Sequence, residues 1–124
     1  MGKIHYNKLI RDKIPEVINE SGGTCKVKKL RTKEFEKELL KKLGEEADEV
    51  LSARSTKELI YELADVMEVI EEIQKLKKIT DDQILAAKKD NYGRKGGFEK
   101  KLFLLWTSDT GYVSNERKYK HTKK

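Results

Sequence analysis

Apolar residues recur at helical spacing over most of the middle of the chain. In FEKELLKKLGEEADEVLSA, Phe35, Leu39, Leu40, Leu43, Ala47, Val50 and Leu51 fall on one arc of a wheel turning about 100° per residue. In KELIYELADVMEVIEEIQKLKK the arc is made by Leu59, Leu63, Val66, Met67, Val69, Ile70, Ile73 and Leu76. Thr32 is placed to cap the first helix, which is predicted to run to about Ala53. Ser55 with Glu58 has capping-box spacing at the start of the second, and Thr80 with Gln83 repeats it before DDQILAAKKDNY, with Gly93 placed to end that third helix. Upstream, Pro15 suits the first turn of a short helix that Gly22 and Gly23 stop. TCKVKKLR alternates weakly and reads as a strand or an extended connection. The apolar run from Leu102 to Trp106 reads as a strand or a docking arm. The expected fold is all-α: a bundle of about four helices with small irregular or β additions, over residues 1–113.

Composition sharpens this picture. Of 124 residues only 36% are apolar while 40% are charged, which suits amphipathic helices whose core is completed by association of subunits. The net charge of +6 invites a nucleic-acid reading, and a basic helical module that binds nucleic acid is one rival for the function. The charge is concentrated at the end, however. From Ser114 onward five basic residues oppose only Glu116, a net +4 of the +6, so residues 114–124 read as a flexible basic tail on a nearly neutral body. No apolar run approaches the roughly 20 residues of a membrane span, no signal peptide is visible, and Cys25 is the only cysteine, so a cytoplasmic protein without membrane attachment is expected.

The acidic residues are not all on the solvent side. In LGEEADEV, Leu43 to Val50, four carboxylates occupy five positions. Glu46 projects between Phe35 and Leu39, well inside the apolar arc; Glu49 lies at its edge, Glu45 is borderline, and Asp48 points outward. On the second helix Glu62 falls between Val69 and Ile73 and Asp65 beside Leu76, whereas Glu68 and Glu72 point to the far side. An ionised carboxylate buried alone costs several kcal/mol or more, so a basic partner, a shared proton or a bound cation must compensate. Neither arc holds a basic residue on this reading, which favours a cation. With His5 and His121 distant and one cysteine, the all-oxygen donor set suits Mg²⁺, with Mn²⁺ as an alternative. Mg²⁺ sites take phosphate substrates. Candidate phosphate-binding groups are Lys8, Arg11 and Lys13 in NKLIRDK, Lys42 one turn before the acids, and Lys88, Lys89, Arg94 and Lys95 in KKDNYGRKGG.

Glu46-Ala-Asp-Glu49, followed after twelve residues by Glu62-Leu-Ala-Asp65, resembles the ExxE…ExxD pattern of the all-α nucleoside triphosphate pyrophosphohydrolases. That superfamily includes MazG-like proteins, dimeric dUTPases and phosphoribosyl-ATP pyrophosphohydrolases. The leader YNKLIRDKIP and the later KGGFEK are similar to a MazG-like subgroup labelled phosphoribosyl-ATP pyrophosphohydrolase-like, with Lys95 standing where many relatives carry Arg. The resemblance implies hydrolysis of a nucleotide between its α- and β-phosphates, on non-standard or surplus triphosphates or, alternatively, on phosphoribosyl-ATP. It implies Mg²⁺ on Glu46, Glu49, Glu62 and Asp65, with Glu45 as an additional ligand or as the group orienting the attacking water. It also implies a homodimer or homotetramer. Tyr6, Tyr92, Phe98 and Trp106 are candidates for base recognition, and their spacing does not rank them.

Overall fold

The computed structural model describes residues 2–108; the basic tail expected at 114–124 therefore lies outside the described residues. Four helices follow in order: α1 (Ile14–Glu20), α2 (Thr32–Val50), α3 (Thr56–Lys77) and α4 (Asp81–Lys95). No strand occurs among the described residues, so the expected β additions are absent. TCKVKKLR forms an extended connection, and Leu102–Trp106 is an exposed irregular segment. Among the described residues neither run has a second strand to pair with, and an isolated strand leaves its backbone groups unsatisfied.

The chain divides into two compact units, Met1–Ala86 and Ala87–Lys124. In the first, α2 and α3 pack against each other. The ion pair of Lys77 with Glu36, 3.2 Å, joins the end of α3 to the start of α2 and fixes their antiparallel sense. Leu39, 3% exposed, and Val69, 9% exposed, are the buried apolar centre of this hairpin; Phe35, Leu43, Val66, Ile73 and Leu76 are half-buried around them. On α3 exposure then rises steadily away from α2, through Ile70 and Leu63 to Met67 at 60%. Leu40 on α2 and Leu51 at its C-cap are the exposed counterparts. In two antiparallel helices the rows wound to the same hand from the contact line emerge on the same side, so these residues form one uncovered apolar flank. The arcs read from sequence are thus only half used within this chain.

Local capping chemistry sets most boundaries. Ser55 Oγ accepts the Glu58 N–H at 3.1 Å, and Glu58 reaches back to the Arg54 N–H at 2.9 Å. Thr80 and Gln83 make the reciprocal pair in full, 3.1 and 2.8 Å. Pro15 sits in the first turn of α1, and Gly22 at φ 86° closes it with Gly23 N–H on the Ile18 carbonyl. Three boundaries differ from the expectation. Arg31, not Thr32, is the N-cap of α2, its N–H taken by the Glu34 carboxylate. That helix ends at Val50 rather than Ala53, where the Leu51 and Ser52 N–H groups tighten onto carbonyls three residues back. In the second unit α4 passes through Gly93 to Lys95, and Gly96 at φ 78° is the glycine that stops it.

The end of α3 carries no glycine at all. Lys78 takes the left-handed conformation, φ 57°, while Ile79 N–H closes on the Gln74 carbonyl at 2.8 Å. A side chain is strained there and glycine is not. Lys78→Gly is therefore expected to stabilise the protein by about 0.5–1 kcal/mol in chemical denaturation, since the native strain removed outweighs the added freedom of the unfolded chain.

Candidate functional site: a carboxylate cluster under a basic leader

Opposite the apolar flank, α2 and α3 bring acidic residues together. Glu46 is buried, 8% exposed, at the centre of the α2 contact face, one turn beyond Leu43. Glu62 and Asp65 are half-buried on α3, and Glu49 lies exposed at the rim. Burial is the largest influence on Glu46 and raises its pKa above the usual carboxylate range; Lys42 opposes this, while Glu49, Asp65 and Glu45 add to it. Glu62 is raised in the same way, by burial first and then by Glu49, Asp65 and Glu46. These four carboxylates therefore feel one another across the helix pair.

How the cluster is compensated corrects one sequence inference. A basic residue does lie within the α2 face: Lys42 is 17% exposed in its side chain, 3.3 Å from Glu45 and 3.7 Å from Glu46. Its aliphatic stem lies along the helix contact and its ammonium reaches the acids, as amphipathic side chains do. Glu62 faces Glu49, whose carboxylate favours the protonated form of Glu62 after burial does. As a carboxylate, by contrast, Glu62 has its Oε2 enclosed with no hydrogen-bond donor. That orphaned oxygen is the place in the hairpin where positive charge is lacking.

The leader supplies cations to the rim. Lys8 reaches Glu45 at 3.4 Å and stands 5.9 Å from the ring centre of Tyr6. Partial burial pushes Glu45 up, but Lys42 and Lys8 together hold its carboxyl below the ordinary range. Arg11 donates to Asp65 at 2.9 Å and grips Glu68 with both ends of its fork, at 2.6 and 3.3 Å. This hydrogen bonding lowers the Glu68 pKa and raises that of Arg11. Glu68 was expected on the far side of α3. It does lie outside the helix contact, but on the acid flank, where the leader passes over it. A helix wheel shows only angles, and a partner 57 residues away in the chain has no signature in it.

Of the other basic candidates, Lys13 is the N-cap residue of α1 and, among the described residues, takes no part in the ion pairs that reach the acids. Lys88, Lys89, Arg94 and Lys95 belong to the second unit, on the exposed last turns of α4, where Arg94 pairs with Asp90 at 3.0 Å. Tyr92, Phe98 and Trp106 are exposed residues of that unit.

The donor set of Glu46, Glu49, Glu62 and Asp65 is all oxygen and strongly anionic, the chemistry that hard divalent cations take, and the orphaned Glu62 Oε2 fits such an ion. As the side chains stand, no three His, Cys, Asp or Glu residues among those described are spaced to hold an ion together. Closing the set requires side-chain movement, and Asp65 is the member tied to an arginine. No helix among the described residues is long and apolar enough to cross a membrane. No family model matches the chain, and comparison with curated proteins and with solved structures returns no match either.

Proposed function

We propose that the protein is a Mg²⁺-dependent nucleotide pyrophosphohydrolase, cleaving the α–β bond of non-standard or surplus nucleoside triphosphates to a monophosphate and pyrophosphate. One observation supports the reading: Glu46, Glu49, Glu62 and Asp65, the residues of the ExxE…ExxD pattern, lie on facing helices near enough to raise the pKa of Glu46 and Glu62, and Glu62 has an enclosed oxygen with no donor. A purely structural helix contact has no use for such a group, since an apolar pair of equal volume is as stable or more so.

On this reading Glu46, Glu49, Glu62 and Asp65 hold Mg²⁺, with Mn²⁺ able to substitute. The bound metal supplies Lewis acidity toward the phosphates and a water acidic enough to attack. Glu45, kept ionised by Lys42 and Lys8, would accept a hydrogen bond from the attacking water and orient it toward the α-phosphorus. Lys8, Arg11 and Lys42, already gathered at the rim, take the phosphate charge, and Tyr6 beside Lys8 is the aromatic group in reach for a base. The uncovered flank of Leu40, Leu51, Leu63 and Met67 is covered by a second copy, completing a helical bundle as a homo-oligomer. A cytosolic setting agrees with the free, exposed Cys25.

The test is pyrophosphate release from a panel of standard and modified nucleoside triphosphates together with phosphoribosyl-ATP, in Mg²⁺ and in EDTA. Release from triphosphates that EDTA abolishes is expected. Release from phosphoribosyl-ATP alone would move the enzyme to histidine biosynthesis, and no release from any member of the panel would sink the enzymatic reading.

A further inference from the structure

We propose that Arg11 is a built-in counter-cation that exchanges with the divalent ion: it holds Asp65 in the metal-free protein and withdraws onto Glu68 when the ion enters. This rests on the reading of the carboxylate cluster as a Mg²⁺ site. Three observations carry it. Asp65 has its Oδ1 taken by the Arg11 guanidinium at 2.9 Å. Glu62 Oε2 meanwhile lies enclosed without a donor, so the charge Arg11 brings does not reach the position that most lacks it. Finally, Arg11 makes two contacts to Glu68, at 2.6 and 3.3 Å, against one to Asp65. Glu68 is therefore its main anchor, and release of Asp65 leaves the leader docked.

The physical logic is competition for one carboxylate. A divalent ion on Asp65 would repel a guanidinium held at hydrogen-bond distance from the same group, a repulsion that solvent screens only in part, with Asp65 32% and Arg11 58% exposed. Asp65 then turns toward Glu46, Glu49 and Glu62, while Glu68, outside the ligand set, retains the arginine at the rim. One edge of the planar fork is left free and faces the place where a phosphate would approach. The leader thus neutralises the acids where it touches them and would become a phosphate contact when a metal takes its place on Asp65. Glu68 is a positioning residue in this scheme, since it acts only through Arg11.

Two measurements on the full chain test the exchange. Mg²⁺ binding is followed by titration calorimetry for the wild type and for Arg11→Gln, with circular dichroism to establish that both are folded. Loss of the competitor is expected to tighten Mg²⁺ by about three- to tenfold, the range of a partly exposed charge pair. In the wild type, the side-chain Nε–Hε resonance of Arg11 is expected to shift during the Mg²⁺ titration, in step with the calorimetric isotherm. Unchanged or weaker affinity in Arg11→Gln overturns the exchange and leaves the metal site standing. So does an Arg11 resonance that does not move while Mg²⁺ binds, because tightening would then reflect only the removed charge. Absence of Mg²⁺ binding in both proteins removes the metal site and the exchange together.

Discussion

Glu62→Gln is expected to make the metal-free protein more heat-stable at neutral pH while costing about a hundredfold or more of its metal-dependent pyrophosphate release, since even a group supporting a metal ligand is worth ten- to a hundredfold. The two effects share one cause. Glu62 has its pKa raised, by burial first and then by the neighbouring carboxylates, above its ordinary value of 4.5. Folding therefore takes up a proton, and the native state is favoured where that proton is present. The contribution is intact below 4.5 and is lost as pH rises through the elevated native value. Glutamine keeps the shape and never ionises. The gap in melting temperature between variant and wild type should accordingly be near zero at acid pH and widen toward pH 7. Scanning calorimetry in EDTA across this interval, beside the release assay, reads both effects. Glu46 has the same sign, but Glu46→Gln also leaves Lys42 with one carboxylate fewer, so its gain in stability is smaller. Glu45 and Glu68 run the other way: cations depress both, and what they contribute is lost as pH falls below 4.5 through their native values. A variant no more stable than wild type at pH 7 and still fully active would contradict both the electrostatic account of the cluster and its catalytic role.

What the sequence made visible follows from how far each signal reaches along the chain. The caps of α3 and α4 depend on groups three or four residues apart, and both were readable as Ser55 with Glu58 and Thr80 with Gln83. The inward direction of Glu46 followed from helical period alone, and it is the buried acid of the hairpin. Gly93 was expected to end α4, but glycine identity alone does not reveal which residue takes positive φ, and it is Gly96 that does. Lys42 was read as a phosphate-binding candidate but not as a member of the apolar face, because its type says surface although its side chain is only 17% exposed. Glu68 and Arg11 meet across 57 residues, and no local pattern encodes that pairing. The arcs gave the apolar residues but not the line along which the helices touch, so half of the expected core emerged as an open flank.

Leu39→Ala carries the largest expected cost in stability, about 2–5 kcal/mol, because it removes the most enclosed apolar side chain and leaves a hole between two helices. Against a total of about 5–15 kcal/mol for an ordinary domain, that loss is severe, and here the margin is thinner: Leu39 and Val69 are the buried apolar residues among those described, and neither is fully enclosed. Such a hairpin gains much by covering its flank of Leu40, Leu51, Leu63 and Met67 with a second copy, and its folding is then linked to association. The melting temperature should rise with protein concentration, and Leu39→Ala should lower it at every concentration. Leu40→Ala separates the alternatives. Leu40 is half exposed within one chain, where truncation costs no more than about 0.5 kcal/mol, but inside an interface it costs several times that and weakens the concentration dependence. A melting temperature independent of concentration, with Leu40→Ala neutral, would mean that the flank faces water and that α2 and α3 stand on their small shared core alone.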